Sequence, residues 1–339
     1  MLTLLLYMLH LLCSFYSFCL RRMIVETLHL AYHQVYPELR EEHLLPKHMT
    51  CTVDRFRAQM QRIRDEGYTV LTVQDFADKA LDDALPEKVA TLCFFDGLRC
   101  GYEHAYPILR EFEYPATFYI MTDTLECRIP KTYLLIFLLR HFGGEDGVEE
   151  FNRQLLAGKY LSETLEILYR GIQKPDFDLG WLFKRQPLKI RPVKVAFNCF
   201  LPHYIATEAL DKFLEEVMSG DATSLCQEAF ISLGELMEMQ KAGMEISSHT
   251  ISHPDLSTLD CHEIEREFRH SPETLRQTGF TGKSLGYPLG GIFSERVRRL
   301  AAKCGYSCAM NYQYAPNIAS AGGLFDIMSV DQREFEVGV

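Results

Sequence analysis

The sequence predicts a parallel α/β domain that is interrupted by a block of helices. From about residue 27 onward, short apolar strand patterns alternate with amphipathic helix patterns, which is typical of successive βαβ units. Two of the apolar runs, 89–95 and 116–120, are continuous, as in strands that are buried on both faces. Between about residues 127 and 226 the alternation stops, and helix patterns follow one another.

The elements before residue 127 carry recognisable helix signals. Phe56, Met60 and Ile63 fall on one face of a predicted helix, because their spacing matches the helical repeat. Thr72 with Asp75 forms a capping pattern at the start of the next helix. The predicted strands are 28–32, 68–71, 89–95 and 116–120, and the predicted helices are 54–66, one that begins at Thr72, and 102–112.

The rest of the chain is interpreted in the same way. The interrupting block is predicted to be helical at 131–142, 147–156, 162–172 and 207–218. After it, Ser232 and Glu235 form a capping box, and the alternation resumes with strands at 244–248, 284–287 and 307–310 and helices at 232–242, 261–278 and 294–303. We therefore predict one domain made of residues 23–126 and 227–339, with 127–226 as a helical insertion.

Charge and cysteine content limit the class of protein. The formal net charge is -11, and no basic block interrupts it, so binding to nucleic acid through a basic face is not expected. The chain has 11 cysteines, an odd number, with irregular spacing and no C-x-x-C. A secreted disulfide framework is normally even and clustered. We therefore expect mostly reduced thiols and a cytoplasmic protein.

The first 22 residues allow two interpretations. Residues 2–20 are almost entirely apolar, which is about the length needed to span a bilayer. Arg21 and Arg22 follow directly, and positive flanking charge would keep the domain on the cytoplasmic face of the membrane. Alternatively, Met23 is the natural start, and 1–22 are an upstream extension. Membrane contact is expected only through residues 2–20.

Three polar side chains follow predicted buried strands. Asp96 comes directly after the run 89–95, and His249 and His253 follow the strand at 244–248. In parallel α/β folds such strand ends gather at one edge, where ligands bind. One carboxylate and two imidazoles form a set that holds a divalent metal and leaves positions open for water and substrate. Each residue alone also fits a structural role, since Asp-Gly is a common turn and a pair of histidines arises by chance.

Several ordered segments carry a resemblance to a known family. They are 91–120, TLCFFDGLRCGYEHAYPILREFEYPATFYI, then 247–254, SSHTISHP, and 286–290, GYPLG. These resemble motif regions of the polysaccharide deacetylases, the NodB-homology or carbohydrate esterase family 4 proteins. LAYHQV at 30–35 resembles the start of the branch with a Tyr-His motif. Together the similar segments cover most of 28–126 and 229–310, and the insertion lies outside them.

The resemblance implies a fold, a metal and site residues. It implies a distorted (β/α) barrel and a divalent metal, zinc with cobalt or nickel as alternatives, held by Asp96, His249 and His253. It implies hydrolysis of an N-acyl group on an amino sugar, with His33 as the general acid that protonates the leaving amine. A buried strand-end histidine is the alternative for His33. The backbone N–H of Leu289, where the family usually has Tyr, would donate to the oxyanion.

One position departs from the family pattern. The first motif normally has two adjacent acids, of which the first is the general base, but this chain has Phe95 before Asp96. The arginine that often orients this base near the C-terminus is also missing from the aligned segment 324–329, LFDIMS. Losing both charges of a buried pair is tolerated better than losing one. The pattern indicates a folded protein with weakened catalysis.

Three functions are therefore open. The first is a metal-dependent hydrolase that removes an acetyl or other N-acyl group from an amino sugar or polysaccharide, with slow turnover where the base is absent. The second is a non-catalytic, metal-bearing homologue that binds carbohydrate or acts as a scaffold. The third is deacylation or deformylation of a nucleotide-linked or lipid-linked sugar. All three predict a carbohydrate ligand.

Overall fold

The fold is an eight-stranded parallel sheet that curls into a closed barrel. The structure is a computed structural model that describes residues 25–40, 44–177, 187–218, 222–289, 295–313 and 323–336. The strands are β1 Glu26–Tyr32, β2 Gln34–Tyr36, β3 Thr50–Thr52, β4 Thr69–Leu71, β5 Lys88–Phe94, β6 Thr117–Ile120, β7 Glu245–Ser248, β8 Ser284–Gly286, β9 Cys308–Gln313 and β10 Ile327–Asp331. Of these, β2 and β3 form a separate parallel pair.

Closure of the barrel depends on β1. The order in the sheet is β1-β10-β9-β8-β7-β6-β5-β4, and β1 also pairs with β5. Seven parallel strands therefore form a closed ring, and β4 extends it outside β5. The pairing of β1 with β5 runs from Glu26↔Lys88 to Tyr32↔Phe94. This confirms the predicted distorted (β/α) barrel.

Helices surround the barrel and form the insertion. They are α1 Val53–Asp65, α2 Val73–Leu81, α3 Tyr106–Phe112, α4 Lys131–His141, α5 Val148–Ala157, α6 Glu163–Ile172, α7 Arg191–Val195, α8 His203–Val217, α9 Ala222–Ala229, α10 Leu233–Lys241, α11 Cys261–Gln277 and α12 Glu295–Lys303. The predicted caps are confirmed: the Thr72 side chain accepts from Asp75 N, and Ser232 and Glu235 form a complete capping box.

Alternation along β5 separates two cores. Leu92 and Phe94 pack under the outer helices. Cys93 and Phe95 pack with Tyr119 in a second cluster, which is formed by side chains on the opposite face of the strands. Because side chains alternate between the faces of a strand, the second cluster fills the interior of the barrel. The side chain of Phe95 therefore points inward at the end of β5.

The insertion packs around one apolar cluster that also includes Leu98, Met121 and Phe230 from the barrel part of the chain. Its buried apolar residues form one cluster, which includes Leu134, Phe151, Phe197 and Phe213. Four of its helices were predicted, but α8 begins at His203 and not at Thr207, because Pro202 directly precedes it and fits a helix start. The short helices α7 and α9 were missed, since neither is long enough to show a periodic pattern. The assignment of 127–226 as a separate insertion stays a prediction.

One further prediction concerns a membrane span, and one strand of the barrel was not predicted. Residues 2–20 lie outside the described residues. Within the described residues, no helix has the length and apolar character of a membrane span. The last strand, β10, was not predicted: its burial alternates along IMSVD, and five such residues carry a weak sequence signal.

Candidate functional site

The predicted site residues lie at one edge of the barrel. β5 ends at Phe94, β7 at Ser248, β8 at Gly286 and β1 at Tyr32. Because these strands are parallel, the residues that follow them meet at the carboxyl edge. In parallel α/β folds this edge is where binding groups gather.

Three side chains meet closely at this edge. Asp96, His249 and His253 are buried, and their potential ligand atoms all lie within 4.8 Å of one another. The Asp96 Oδ1 atom is 3.1 Å from His249 Nε2 and 3.3 Å from His253 Nε2. A carboxylate and two imidazole nitrogens can converge on a single cation from this arrangement.

The hydrogen bond on the far side of His249 decides which of its ring nitrogens faces the cluster. His249 Nδ1 lies 2.8 Å from the carbonyl oxygen of Gly286. A carbonyl can only accept, so Nδ1 carries the proton and the neutral ring turns the lone pair of Nε2 toward Asp96. Two lone pairs at 3.1 Å repel one another. The arrangement needs either a protonated ring or a cation between the atoms, and carbonyl-held imidazoles are usual at metal sites.

Burial and the neighbouring charges favour the protonation states of Asp96 and His253 that can bind a metal. Burial alone would raise the pKa of Asp96, but the adjacent His249 and His253 hold that pKa well below its ordinary value. Burial lowers the pKa of His253, and Asp96 opposes that shift only in part. An ionised carboxylate and a neutral imidazole are the protonation states that bind metal. His253 Nδ1 is buried without a hydrogen-bond partner within the described part of the chain.

Four residues at the carboxyl edge of the barrel have a left-handed backbone conformation. Asp96, Thr250, His253 and Leu289 have φ values of 70°, 66°, 54° and 62°. Residues other than glycine rarely adopt this left-handed region, and those that do cluster at functional sites. Residues 249–253 form a loop without a helical turn, and its left-handed residues bring the two histidines together.

A buried carboxylate supports the loop that carries the two histidines. Glu267 on α11 accepts from the backbone N–H groups of Ile251, at 2.7 Å, and Ser252, at 3.1 Å. It also accepts from Ser252 Oγ at 2.7 Å and from the Tyr204 hydroxyl at 3.0 Å. Burial raises the pKa of Glu267. Glu267 was not among the predicted site residues, although it lies on the same helix face as Ile264 and Phe268, where an acid is unusual.

The position of the expected base is filled by aromatic rings. Phe95 is 2% exposed, and its ring centroid lies 5.6 Å from that of His33, 5.2 Å from Tyr119, 5.4 Å from His249 and 6.0 Å from Tyr312. No carboxylate occupies this side chain's place. The edge of the barrel therefore has an apolar wall directly beside the Asp-His-His cluster.

His33 belongs to this apolar wall. It stacks on Phe95 and meets Tyr312 edge-on with centroids 4.8 Å apart. Burial lowers the pKa of His33, and the charges of Asp96 and Asp331 oppose the shift. The residue is close enough to the cluster to sense Asp96, and its neutral form is favoured.

Leu289 and Tyr133 complete the surroundings. The N–H of Leu289 meets no acceptor within the described residues, as an oxyanion donor requires. Tyr133, from the insertion helix α4, was missed by the sequence analysis. Burial together with the charge of Asp96 raises the pKa of the Tyr133 hydroxyl well above its ordinary value. The insertion therefore reaches the site, which no local pattern in the sequence signals.

A comparison with known families identifies the resemblance. The model of the polysaccharide deacetylase family matches residues 216–309, the part that contains His249, His253 and the turn at Pro288. The predicted resemblance to the polysaccharide deacetylases is confirmed. Solved structures of polysaccharide deacetylases share the fold of this chain.

Three solved structures show the extent of the similarity in fold. The Streptococcus pyogenes deacetylase PplD in complex with acetate has a TM-score of 0.56 and 18% identity, over 91% of this chain and 92% of that one. The Aggregatibacter actinomycetemcomitans de-N-acetylase has a TM-score of 0.52 and 16% identity, over 92% and 97%. IcaB from Ammonifex degensii has a TM-score of 0.52 and 14% identity, over 90% and 91%.

One relative in sequence covers a short part of the chain. An uncharacterized 30.6 kDa protein in the fumA 3' region of Geobacillus stearothermophilus is 36% identical over 69 residues. The match spans 20% of this chain and 26% of that protein. It adds to the resemblance without adding an activity.

Proposed function

We propose that this protein is a metal-dependent hydrolase that removes an N-acyl group, acetyl in the first instance, from an amino sugar. The observation that carries the proposal is the meeting of Asp96, His249 and His253 within 4.8 Å at the carboxyl edge of the barrel. The match to the polysaccharide deacetylase family supports deacetylation of a sugar as the class of reaction.

The donor set fits a divalent transition metal. Two imidazoles and one carboxylate suit zinc, with cobalt and nickel as alternatives. The bond of His249 Nδ1 to Gly286 turns the lone pair of Nε2 toward Asp96. This orientation supports a cation between His249 Nε2 and the Asp96 carboxylate. When bound, such a metal polarises an acyl carbonyl and lowers the pKa of water.

The chain's own residues divide the remaining tasks. The N–H of Leu289, which meets no acceptor among the described residues, would stabilise the developing oxyanion, because it is held in place by the turn after β8. His33 would supply a proton to the leaving amine only when protonated, and the lowering of its pKa by burial makes that form scarce. Phe95 can accept no proton, so turnover is expected to be slow by the factor that general base catalysis usually contributes, roughly 10²–10⁴.

A non-catalytic carbohydrate-binding protein is the second candidate. The observation that favours it is the tight aromatic packing of Phe95 against His33, Tyr119 and Tyr312. Such a protein would keep the Asp-His-His cluster as a binding or structural element. The two candidates agree on the metal and differ on turnover.

The experiment has two steps. Metal content of the purified protein is measured for wild type, His249→Ala and His29→Ala; His29 is a buried histidine bonded to Thr91 Oγ1 that is not a proposed ligand. We expect one metal per chain in wild type and His29→Ala, and loss in His249→Ala. A folded wild-type protein that binds no zinc, cobalt or nickel would refute the ligand set. Acetate release from N-acetylglucosamine oligomers then separates the hydrolase from the binding protein.

A further inference from the structure

The loop that carries the two histidines depends on support from outside. Residues 249–253, which we call the histidine loop, include Thr250 and His253 with left-handed φ values of 66° and 54°. Such backbone is costly for residues other than glycine and persists only where the surrounding structure holds it. The barrel holds part of the loop, since the N–H of Thr122 donates to the carbonyl oxygen of Thr250 at 3.1 Å. Two N–H groups of the loop itself are bonded to Glu267.

Glu267 is bonded to the insertion as well as to the histidine loop. Its Oε2 atom accepts from the N–H groups of Ile251 and Ser252, and its Oε1 atom accepts from Ser252 Oγ at 2.7 Å. Oε1 also accepts from the hydroxyl of Tyr204 at 3.0 Å, and Tyr204 lies in the first turn of α8. One carboxylate thus joins a helix of the insertion to the loop that carries two candidate metal ligands.

His203, the residue before Tyr204, reaches the same loop directly. His203 Nε2 lies 2.8 Å from Ser252 Oγ, and Ser252 immediately precedes His253 in the chain. Because the hydroxyl proton of Ser252 is donated to Glu267, Oγ is the acceptor and His203 Nε2 donates. His203 Nδ1 then carries a lone pair, and this atom is buried without a hydrogen-bond partner among the described residues.

The unpaired nitrogen indicates that His203 does more than stabilise the fold. A buried polar atom without a partner costs free energy, so an apolar side chain would be more stabilising at this place. What the histidine adds is the bond from Nε2 to Ser252. Departures from the rules of local stability are expected at functional sites, and this one lies beside a candidate ligand.

We propose that His203 and Tyr204 are positioning residues that hold the histidine loop in the shape that binds metal. They act through Ser252 and Glu267. The inference rests on the proposed function for the metal, but it goes beyond that function because it makes the insertion a part of the metal site. Docking of the first turn of α8 then controls how tightly the barrel binds its metal.

Metal affinity and stability, measured together, test this role. Zinc affinity of the full-length protein is measured by competition with a chelator, and stability of the metal-free protein by denaturant titration, for wild type, Tyr204→Phe and His203→Leu. Loss of a partner of a metal ligand typically weakens binding by roughly 10–100-fold. Since these bonds lie one step further from the metal, we expect about tenfold weaker binding in each variant. His203→Leu should be no less stable than wild type, because it removes the unpaired nitrogen.

Two further variants make the comparison specific. Tyr169→Phe is the matched control, because Tyr169 is also a tyrosine of the insertion, but its hydroxyl donates to another insertion residue, Asn152. Its zinc affinity should equal that of wild type. His203→Gln keeps an N–H donor at the end of its side chain, and it should restore most of the affinity that His203→Leu loses.

The possible failures are distinguishable. Unchanged zinc affinity in Tyr204→Phe and His203→Leu would overturn the inference and leave the proposed metal site intact. A loss of affinity that Tyr169→Phe shares, or that only follows a loss of stability, would assign the two residues to the fold and also overturn the inference. If wild type binds no zinc, cobalt or nickel, the proposed function and the inference fail together.

Discussion

The two sides of the barrel edge differ in chemistry although they touch. On the ligand side, Asp96 lies against His249 and His253. His249 is bonded to the carbonyl oxygen of Gly286, and Glu267 accepts from the backbone of the loop that carries the two histidines. On the aromatic side, Phe95, His33, Tyr119 and Tyr312 pack ring against ring. His249 belongs to both, because its ring lies edge-on to Phe95.

This difference separates the groups that could hold a metal from the position where the family's base is expected. On the ligand side, His249 and the histidine loop have backbone and carboxylate acceptors in place, whereas His253 Nδ1 has none among the described residues. The aromatic side closes with the Tyr312 hydroxyl, which donates to Asp331 at 2.5 Å, while Arg333 pairs with that same carboxylate at 2.8 Å. The charges of Asp331 and Arg333, which lie beyond Tyr312, are thus already paired with each other.

Phe95→Asp breaks the aromatic side and should have the largest effect. The variant loses four ring contacts and buries an unpaired carboxylate, so we expect the free energy of unfolding to fall by about 3–5 kcal/mol. Denaturant titration measures this, with Phe95→Leu as an apolar control that should lose less. If the rest of the machinery is intact, acetate release from N-acetylglucosamine oligomers should rise. Wild-type stability in Phe95→Asp would contradict the packing described above.

Lys131→Met tests the charge that the insertion brings to the ligand side. Burial lowers the pKa of Lys131 from 10.5 to about 8. The folded protein therefore binds fewer protons than the unfolded chain between those values, and stability rises with pH across that window. Removing the ammonium should raise the free energy of unfolding at pH 7 by up to about 3 kcal/mol. This gain should vanish above pH 10.5. A difference that is constant with pH would rule out the charge as its cause.

Glu267→Gln weakens the support of the ligand side without touching a ligand. A glutamine cannot accept the four hydrogen bonds that Glu267 receives, so we expect metal affinity to fall by roughly 10–100-fold. Glu245→Gln is the matched control: Glu245 is also buried and accepts from Thr117 Oγ1 at 2.7 Å, but it lies at the amino end of β7. Competition with a metal chelator measures both. Equal losses in the two variants would indicate a general effect of destabilisation.

Leu289→Gly should have the smallest effect. Glycine adopts a φ of 62° without strain, so the free energy of unfolding should rise by no more than about 1 kcal/mol. The N–H group survives the change, and metal content should be unaltered. A thermal melt and a metal assay check both expectations. A clear loss of stability would mean that packing of the leucine side chain outweighs the backbone strain.

Local signals predicted the parallel α/β order, and the family resemblance implied the barrel, which is confirmed. Strand-end positions singled out Asp96, His249 and His253, which lie together in the structure, and their role as metal ligands stays a prediction. Continuous apolar runs mark parallel buried strands, and Asp96 and His249 directly follow two of them. The conformation of the loop from His249 to His253 could not be predicted, since the left-handed backbone at Thr250 and His253 has no distinct residue signature when glycine is absent.

The supporting residues could not be predicted from local patterns. Tyr133 and His203 reach the site from helices that are distant from Asp96 in sequence, and Glu267 is separated from the histidine loop by the start of α11. Their roles arise from tertiary packing, which one sequence alone does not encode in its periodicity. The same holds for Phe95: the sequence marks the missing base, but only the structure shows the rings that fill its place.

The pairing of β6 with β7 has a consequence for how the chain folds. These strands are neighbours, with Ile120 opposite Ser248, yet the whole insertion separates them along the chain. The ends of the insertion also meet, because Cys226 Sγ lies 3.8 Å from the carbonyl oxygen of Thr124. If the helices of 127–226 collapse first, the loop that must close shrinks to a few residues, and the entropy of closure falls accordingly. Pairing of β6 with β7 would then be faster than across an unstructured segment of the same length.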